Sequence, residues 1–309
     1  PLEAVMLKIS DGTDDFALLA IPFFVLAGGI MAEGGMAVRL INLAKVFVGF
    51  IRGGLALVNI LASTLFGCIS GSSVADTASI GSVMIPQMVK AGYPRIFATN
   101  VTICGSVQAL LVPPSHNAVI YALATGGIVS VADLFLAGIF PGLLFGLCLV
   151  GLVLLTAQKR NFPKGEPIPM KDVPRIVIDA LWGLVTIVII MGGILSGVFT
   201  PTESAAVGAV GAMVLAAGRG TLSRDMLAGV AQTTAKLSSM AFMLLFGASV
   251  FILVFRGLGG DVFVEGMLKT LPGGLNAALA VVMAVVFVLG FFLDPFEILF
   301  IIVPIACPV

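Results

Sequence analysis

Ser70-Gly71-Ser72-Ser73-Val74-Ala75-Asp76-Thr77 interrupts an apolar stretch that runs from about residue 55 to residue 90. Such a stretch is long enough to cross roughly 30 Å of hydrocarbon twice, at about 20 residues per pass. Yet its middle holds small and hydroxyl residues instead of the charged loop that marks a turn in water. Glycine permits a backbone turn that other residues resist, and irregular backbone at membrane depth survives only where protein or a water-filled cavity covers it. The pattern reads as a re-entrant helical hairpin whose tip carries hydroxyls and exposed carbonyls. A second stretch, from about 275 to 309, is broken in the same manner by Gly290 and Asp294-Pro295.

Working outward, 59% of the residues are hydrophobic and 10% charged, too little polar cover for a water-soluble fold. The lipid bilayer is therefore the solvent, and the 37 glycines and 16 prolines are tolerable because neighbouring membrane segments re-satisfy freed backbone groups. Sixteen basic residues balance 16 acidic ones, which argues against a nucleic-acid partner. Cys68, Cys104, Cys148 and Cys307 stand singly in apolar surroundings, so neither zinc, another metal cofactor nor a disulfide framework is suggested. The chain opens at Pro1 and stops at Val309 inside an apolar run, and the expectation is a fragment truncated at both ends.

Further spans are expected near 16–32, 96–125, 133–157, 176–198, 203–218 and 236–256, with amphipathic interfacial helices near 36–51 and 223–238. With both hairpins returning to the side they came from, Arg39, Lys45, Arg52, Lys90, Arg95, Lys159, Arg160, Lys164, Lys171, Arg175, Arg219 and Arg224 share one face, which is then cytoplasmic. The opposite face receives Glu3, Asp11, Asp14 and Asp15, with only Lys8, Arg256 and Lys269. The first hairpin thus enters from the cytoplasm and the second from outside. Asp76, Ile80 and Pro86 fall on Asp294, Ile298 and Pro304 at one constant offset, pairing hairpin with hairpin as an inverted repeat does. The resulting division is a first repeat over 1–157 lacking its first helix, a cytoplasmic linker over 158–175, and an incomplete second repeat over 176–309. The fold class is an all-α integral membrane protein, an inverted-repeat transporter with two re-entrant hairpins.

Three places carry chemistry. At the first tip, unwound carbonyls suit a sodium ion, while the N-terminus of the following arm suits an anion; Asp76 either caps that helix from a Ser73-x-x-Asp76 box or touches the cargo. Leu111-Val112-Pro113-Pro114-Ser115-His116-Asn117 breaks the next membrane helix, because two prolines remove two backbone donors and free carbonyls near Gly105-Ser106 and Ala109–Leu111. His116, the only histidine, either relays protons or sits satisfied at a helix start. Thr200-Pro201-Thr202-Glu203 is a structural capping box, and Asp294 caps a helix that begins at Pro295. Ser72, Ser73, Asp76, Thr77, Ser115, His116, Asn117 and Asp294 are the candidates for solute contact.

These stretches resemble the large membrane subunit, DctM-like, of tripartite ATP-independent periplasmic (TRAP) transporters. The resemblance is carried by Ser70 to Gly81 with Ile85-Pro86 and Gly92-Tyr93, by Val112-Pro-Pro-Ser115 with Tyr121, by Leu134-Phe135, Ala137-Gly138 and Pro141-Gly142, by Gly197 to Glu203, and by Asp294-Pro295 with Pro304, all in family order. It implies a sodium-driven elevator importer, multi-pass in the bacterial inner membrane. It further implies a small membrane subunit and a periplasmic substrate-binding protein that delivers a carboxylate-bearing small molecule. Sodium, carried as coupling ion, would then meet Ser70, Gly71, Ser72, Gly105, Ser106, Val112 and Ser115 at the first tip, and Gly290 and Asp294 at the second. The second Pro-Pro-containing broken helix of the family is absent from this sequence, so the second ion site is incomplete, and His116-Asn117 occupies a variable position that tunes substrate choice. Two other readings stay open: a stand-alone sodium- or proton-coupled organic-anion carrier of the same architecture, and an intramembrane serine protease built on Gly67-Cys-Ile-Ser70-Gly71 with His116 as base.

Overall fold

A computed structural model describes residues 3, 5–7, 10, 15–165 and 167–306. Lys8, Asp11, Asp14 and Cys307 of the sequence reading lie outside the described residues. Among those described the molecule is helical without a strand; one isolated bridge joins Arg52 to Lys164. A 3-10 turn at Phe16–Leu19 leads into α1 (Ala20–Glu33), followed by α2 (Met36–Val48), α3 (Gly54–Ser70) and α4 (Ser73–Lys90). Next come α5 (Arg95–Val107), a 3-10 turn at Gln108–Leu110, α6 (His116–Ala124), α7 (Val131–Lys159), α8 (Val173–Leu195) and α9 (Pro201–Gly218). The chain continues through α10 (Arg224–Gly257), α11 (Gly260–Lys269), α12 (Gly274–Leu289) and α13 (Pro295–Ala306). Among the described residues, four segments are long and apolar enough to cross a membrane: Phe16–Glu33, α7, α8 and α10.

The breaks fall where the residues demanded them: between α3 and α4 at Gly71-Ser72, between α5 and α6 at the paired prolines, and between α12 and α13 at 290–294. One expectation is overturned. Residues 223–238 do not form a separate interfacial helix; they are the first turns of α10, a single 34-residue helix capped by Ser223, whose hydroxyl accepts from the Met226 N–H. No breaker divides it, and Val230, Thr234, Ser238 and Ala241 are buried at helical spacing along one continuous face, so the polar Gln232 and Lys236 merely occupy the exposed side.

Packing centres on α3, which is buried almost all round and touches α1, α2, α4, α5 and α7. A helix apolar on every face must be enclosed in this way. α1 packs on α9 and α10, and α9 on α8. One end of the molecule gathers the basic residues: Arg52 Nη1 donates to Asn161 Oδ1 at 2.7 Å, Lys45 Nζ to Gln87 Oε1 at 2.8 Å, and Arg219 Nη1 to Asp179 Oδ1 at 2.9 Å.

The start of the polar stretch after α7 is docked on this end. Phe162 is 6% exposed and its ring lies 4.6 Å from that of Tyr93 and 4.9 Å from that of Phe97, while Gly53 N–H donates to Pro163 O at 3.1 Å. Truncating Phe162 to Ala is expected to cost about 3–5 kcal/mol, the usual range for a buried aromatic. A lowered unfolding temperature together with faster protease cleavage within 158–172 checks this. Burial also pushes the Tyr93 phenol up to about 12. Since a free tyrosine ionises near 10, that packing contributes in full below about pH 10 and fades as pH climbs toward the folded value.

Candidate functional site

Gly71 ends α3 with φ +58° and donates its N–H to Gly67 O at 2.9 Å. The chain then extends through Ser72, whose hydroxyl accepts from the Ala75 N–H at 3.4 Å and opens α4. The tip rests on the break in the next helix. A side-chain carbon placed at Gly71 would lie 3.1 Å from Pro114 O and 3.3 Å from both His116 N and His116 Nδ1. Two motifs far apart in sequence are thus in contact, and a residue with a Cβ would have to adopt a left-handed backbone and push the break back by a few tenths of an ångström.

The break itself is built from prolines that cannot donate. The Pro113-Pro114 peptide is cis, and the carbonyls of Leu111, Val112, Pro113 and Pro114 accept no backbone N–H among the described residues. The Ser115 hydroxyl donates back to Leu110 O at 2.8 Å, so α6 starts without a side-chain cap. At Gly71 the N-terminal ends of α4 and α6 therefore converge beside free main-chain oxygens. Amide groups and the positive helix ends suit an anion there, and the carbonyls suit a hard cation.

Gly138, Gly142 and Gly146 form a stripe on α7 that lets the break approach closely. Carbons added at these positions would meet Leu111 O at 2.5 Å, Val112 Cγ2 at 3.1 Å and Gln108 Nε2 at 2.5 Å. Gln108 Nε2 donates to Gly142 O at 2.9 Å, and its Oε1 accepts from the Thr64 hydroxyl at 3.0 Å, tying α3, the break and α7 together.

The second tip approaches from another side. Asp294 Oδ1 accepts from the Phe296 N–H at 3.0 Å and so caps α13, which begins at Pro295. Phe296 places its ring 5.5 Å from that of His116. A cavity of about 990 Å³ separates the break from this tip, lined by Leu111, Asn117, Tyr121, Gly290 and Pro295 among others.

The expected residues divide as follows. Gly71 of the tip meets Pro114 and His116 of the break; Ser70, Ser72 and Ser73 flank Gly71 in the tip and Val112 and Ser115 lie in the break, while Asn117 and Gly290 face the cavity. Asp294 is exposed, as the cap of α13. Thr77 and Ser106 share a hydroxyl hydrogen bond that joins α4 to α5, and Gly105 faces Ser63. The Ser73-x-x-Asp76 capping box does not form. Gly71 turns left-handed and Ser72 is extended, so α4 begins one residue earlier than that box requires, and neither Asp76 oxygen reaches back to a backbone N–H. The box at Thr200 does form: Glu203 Oε2 accepts from Thr200 N–H at 2.8 Å and Thr200 Oγ1 accepts from Glu203 N–H at 3.3 Å.

Sequence reasoning passed over Asn59, Ser63, Thr102 and Gln108, all at most 1% exposed. Their signal was present: Asn59 and Ser63 stand four apart on a largely apolar helix, and polar groups inside membrane segments mark functional candidates. Ser70 Oγ contacts the Ser72 backbone, and His116 Nδ1 has no hydrogen-bond partner, so the serine and histidine of a protease dyad are not joined.

A family model described as the tripartite ATP-independent periplasmic transporter, DctM component, matches residues 1–309. The chain is 46% identical over 216 residues to the uncharacterised protein YgiK of Salmonella typhimurium, an alignment covering 70% of this chain and 49% of that protein. It is 37% identical over 312 residues to the C4-dicarboxylate TRAP transporter large permease protein DctM of Pseudomonas aeruginosa, covering 100% and 72%. With the 2,3-diketo-L-gulonate TRAP transporter large permease protein YiaN of Escherichia coli it shares 34% identity over 306 residues, covering 96% and 70%. The chain thus spans about half the length of YgiK and under three quarters of the other two.

Proposed function

This chain belongs to the DctM family of TRAP transporter large permease proteins, and on that premise we propose that it forms the translocating part of a sodium-coupled importer in the bacterial inner membrane. Its cargo is a carboxylate-bearing solute, delivered by a periplasmic binding protein and moved together with a small membrane subunit. Two of the relatives with named substrates carry a C4-dicarboxylate and 2,3-diketo-L-gulonate by their names, both of them carboxylates, which supports this substrate class.

The single observation that carries the reading is the seat of Gly71 against Pro114 and His116. There a helix turn, a helix start and carbonyls without backbone donors meet, giving anion and cation complementary contacts in one place. In this reading α3 and α4 form a re-entrant hairpin from the cytoplasmic side, and α12 and α13 form its counterpart from the periplasmic side. Sodium meets main-chain oxygens at Ser70–Ser72 and Val112, and the carboxylate meets the N-terminal amides at Ser72-Ser73 and Ser115–Asn117. An elevator displacement of the hairpins with their broken helices then exposes the site to each side in turn.

The test is uptake into proteoliposomes holding the full complex with its binding protein. Uptake is expected only with an inward sodium gradient and the binding protein together; sodium-independent uptake by the intact complex overturns the coupling. A stand-alone carrier of the same architecture remains the second reading, favoured if the purified chain transports without a small subunit.

A further inference from the structure

Three helix starts, those of α4, α6 and α13, gather around the break, and two of them already carry acids of the chain itself. α4 is capped by the Ser72 hydroxyl and holds Asp76 in its first turn. α13 is capped by Asp294 and holds Glu297 in its first turn. α6, nine residues long, differs: it has no side-chain cap and no acidic residue in its first turn. The amides of His116 and Asn117 donate to no carbonyl among the described residues. Open amides at a helix start favour an anionic group, and here one such start is free.

Two polar side chains stand open at the same start. His116 is 5% exposed, and its buried Nδ1 has no hydrogen-bond partner among the described residues. That nitrogen and the His116 amide both lie 3.3 Å from the position a Gly71 Cβ would take, so ring and amide face one side. The Asn117 carboxamide lines the cavity of about 990 Å³ and makes no hydrogen bond among the described residues. A buried polar group left unpaired is costly unless something bound completes it.

Beyond Asn117 the cavity turns apolar. Leu111, Leu134, Phe287 and Leu293 stand in its walls, and none of the described residues that line it is charged. Pro295 lies in the same wall, so the far side reaches the start of α13, where Asp294 and Glu297 would repel a second anion. Arg256, which is bonded to α13, holds Pro304 O at the other end of that helix. Any sodium on the main-chain oxygens of the first tip would stand beside the α6 start, not at this far side.

Given that a carboxylate binds where tip and break meet, the premise on which this rests, we propose that the cargo is a hydroxy monocarboxylate with an apolar remainder. Its single carboxylate accepts from the amides of His116 and Asn117 and from the imidazole. Its hydroxyl, on the carbon next to the carboxylate, pairs with the Asn117 carboxamide, which can both donate and accept. The rest of the molecule lies along the apolar wall toward the second tip. Gly71 covers the His116 nitrogens when tip and break touch, so the cargo reaches them with the tip drawn back. A dicarboxylate would set its second charge in the apolar space without a counter-charge, a cost far above what burying a few carbon atoms returns. The solute class in the name of the Pseudomonas aeruginosa relative, a C4-dicarboxylate, is thereby disfavoured for this chain.

The experiment follows thermal unfolding of the purified full membrane complex in detergent and saturating sodium chloride, without the binding protein, as three acids are titrated. They are hydroxyisocaproate, with its hydroxyl next to the carboxylate; isocaproate, which lacks the hydroxyl; and malate, which keeps the hydroxyl and replaces the apolar end by a second carboxylate. Hydroxyisocaproate is expected to half-saturate at about tenfold lower concentration than isocaproate, on the order of one hydrogen bond, and at least about tenfold lower than malate. In Asn117→Leu the two monocarboxylates are expected to bind alike, with isocaproate unchanged. Malate binding as tightly as hydroxyisocaproate overturns the proposal while leaving a carboxylate site in place. Equal binding of the two monocarboxylates by the natural protein overturns the hydroxyl contact, and a preference for hydroxyisocaproate that survives in Asn117→Leu overturns the part given to Asn117. Stabilisation by none of the three overturns this proposal and the carboxylate premise together. Should Asn117→Leu fail to fold, the ranking of the three acids on the natural protein alone decides.

Discussion

Gly71→Ala is expected to reduce sodium-driven uptake on the order of 30- to 150-fold, each tenfold corresponding to about 1.4 kcal/mol, while the helices stay assembled. Two costs add. A residue with Cβ held at the φ of +58° found here carries a penalty of roughly 1–2 kcal/mol. The new methyl group also stands 3.1 Å from Pro114 O and 3.3 Å from the amide of His116, a compression of tip against break worth about 1 kcal/mol more when the surroundings give only partly. Relief requires the tip to withdraw from the place where α4 and α6 start, and that withdrawal removes the geometry needed for binding. Gly127→Ala separates the two costs: its φ of +79° imposes the same backbone penalty, but nothing lies within 4 Å of the added carbon. Uptake per folded molecule is expected to be unchanged there. Natural uptake in Gly71→Ala would show that transport does not use the contact between tip and break.

What the sequence made legible follows from where its signals are local. A left-handed glycine at Gly71, the paired prolines and the caps at Ser223 and Thr200 act within a turn of the chain, so the breaks and helix starts are readable from residues alone. The Ser73-x-x-Asp76 box shows the limit of that. The pattern is satisfied in the letters, but a shift of one residue in where the tip ends its turn moves the cap to Ser72 and leaves Asp76 inside the helix. The interfacial helix at 223–238 failed for a different reason: polar spacing on an exposed face looks alike whether a helix stops there or runs on, and the stripe of Val230, Thr234 and Ser238 continues into the apolar part without a breaker.

The site was half legible. Each tip motif and the break were visible separately, but their meeting at Gly71 depends on how α3 packs between α4, α5 and α7, which no short-range pattern encodes. Asn59, Ser63 and Thr102 escaped because scattered polar residues in membrane helices do not name their partners; only the packing of α3 on α5 brings Asn59 and Thr102 together.

The glycine stripe on α7 sets up the second large effect, a graded one. At Gly138 an added carbon would stand 2.5 Å from Leu111 O, and because that atom is main chain, no rotamer change can clear it. Either α7 or the break must retreat, so Gly138→Ala is expected to lose about 1–3 kcal/mol of stability, the usual cost of overpacking, together with at least tenfold in uptake. At Gly146 the obstacle, also at 2.5 Å, is Gln108 Nε2. A side chain can swing aside, at the expense of its hydrogen bond to Gly142 O, which is worth on the order of 1 kcal/mol, so Gly146→Ala should fall between. Gly151, farther along the same helix, has nothing within 4 Å of an added carbon; Gly151→Ala is expected to leave uptake intact and to gain up to about 1 kcal/mol from lost backbone freedom in the unfolded chain. Thermal unfolding and proteoliposome uptake of the three variants give the ranking directly. Helix position alone predicts no such order, because all three glycines lie within α7; an order in which Gly151→Ala is the most damaging would mean that α7 does not hold the break through Leu111 at all.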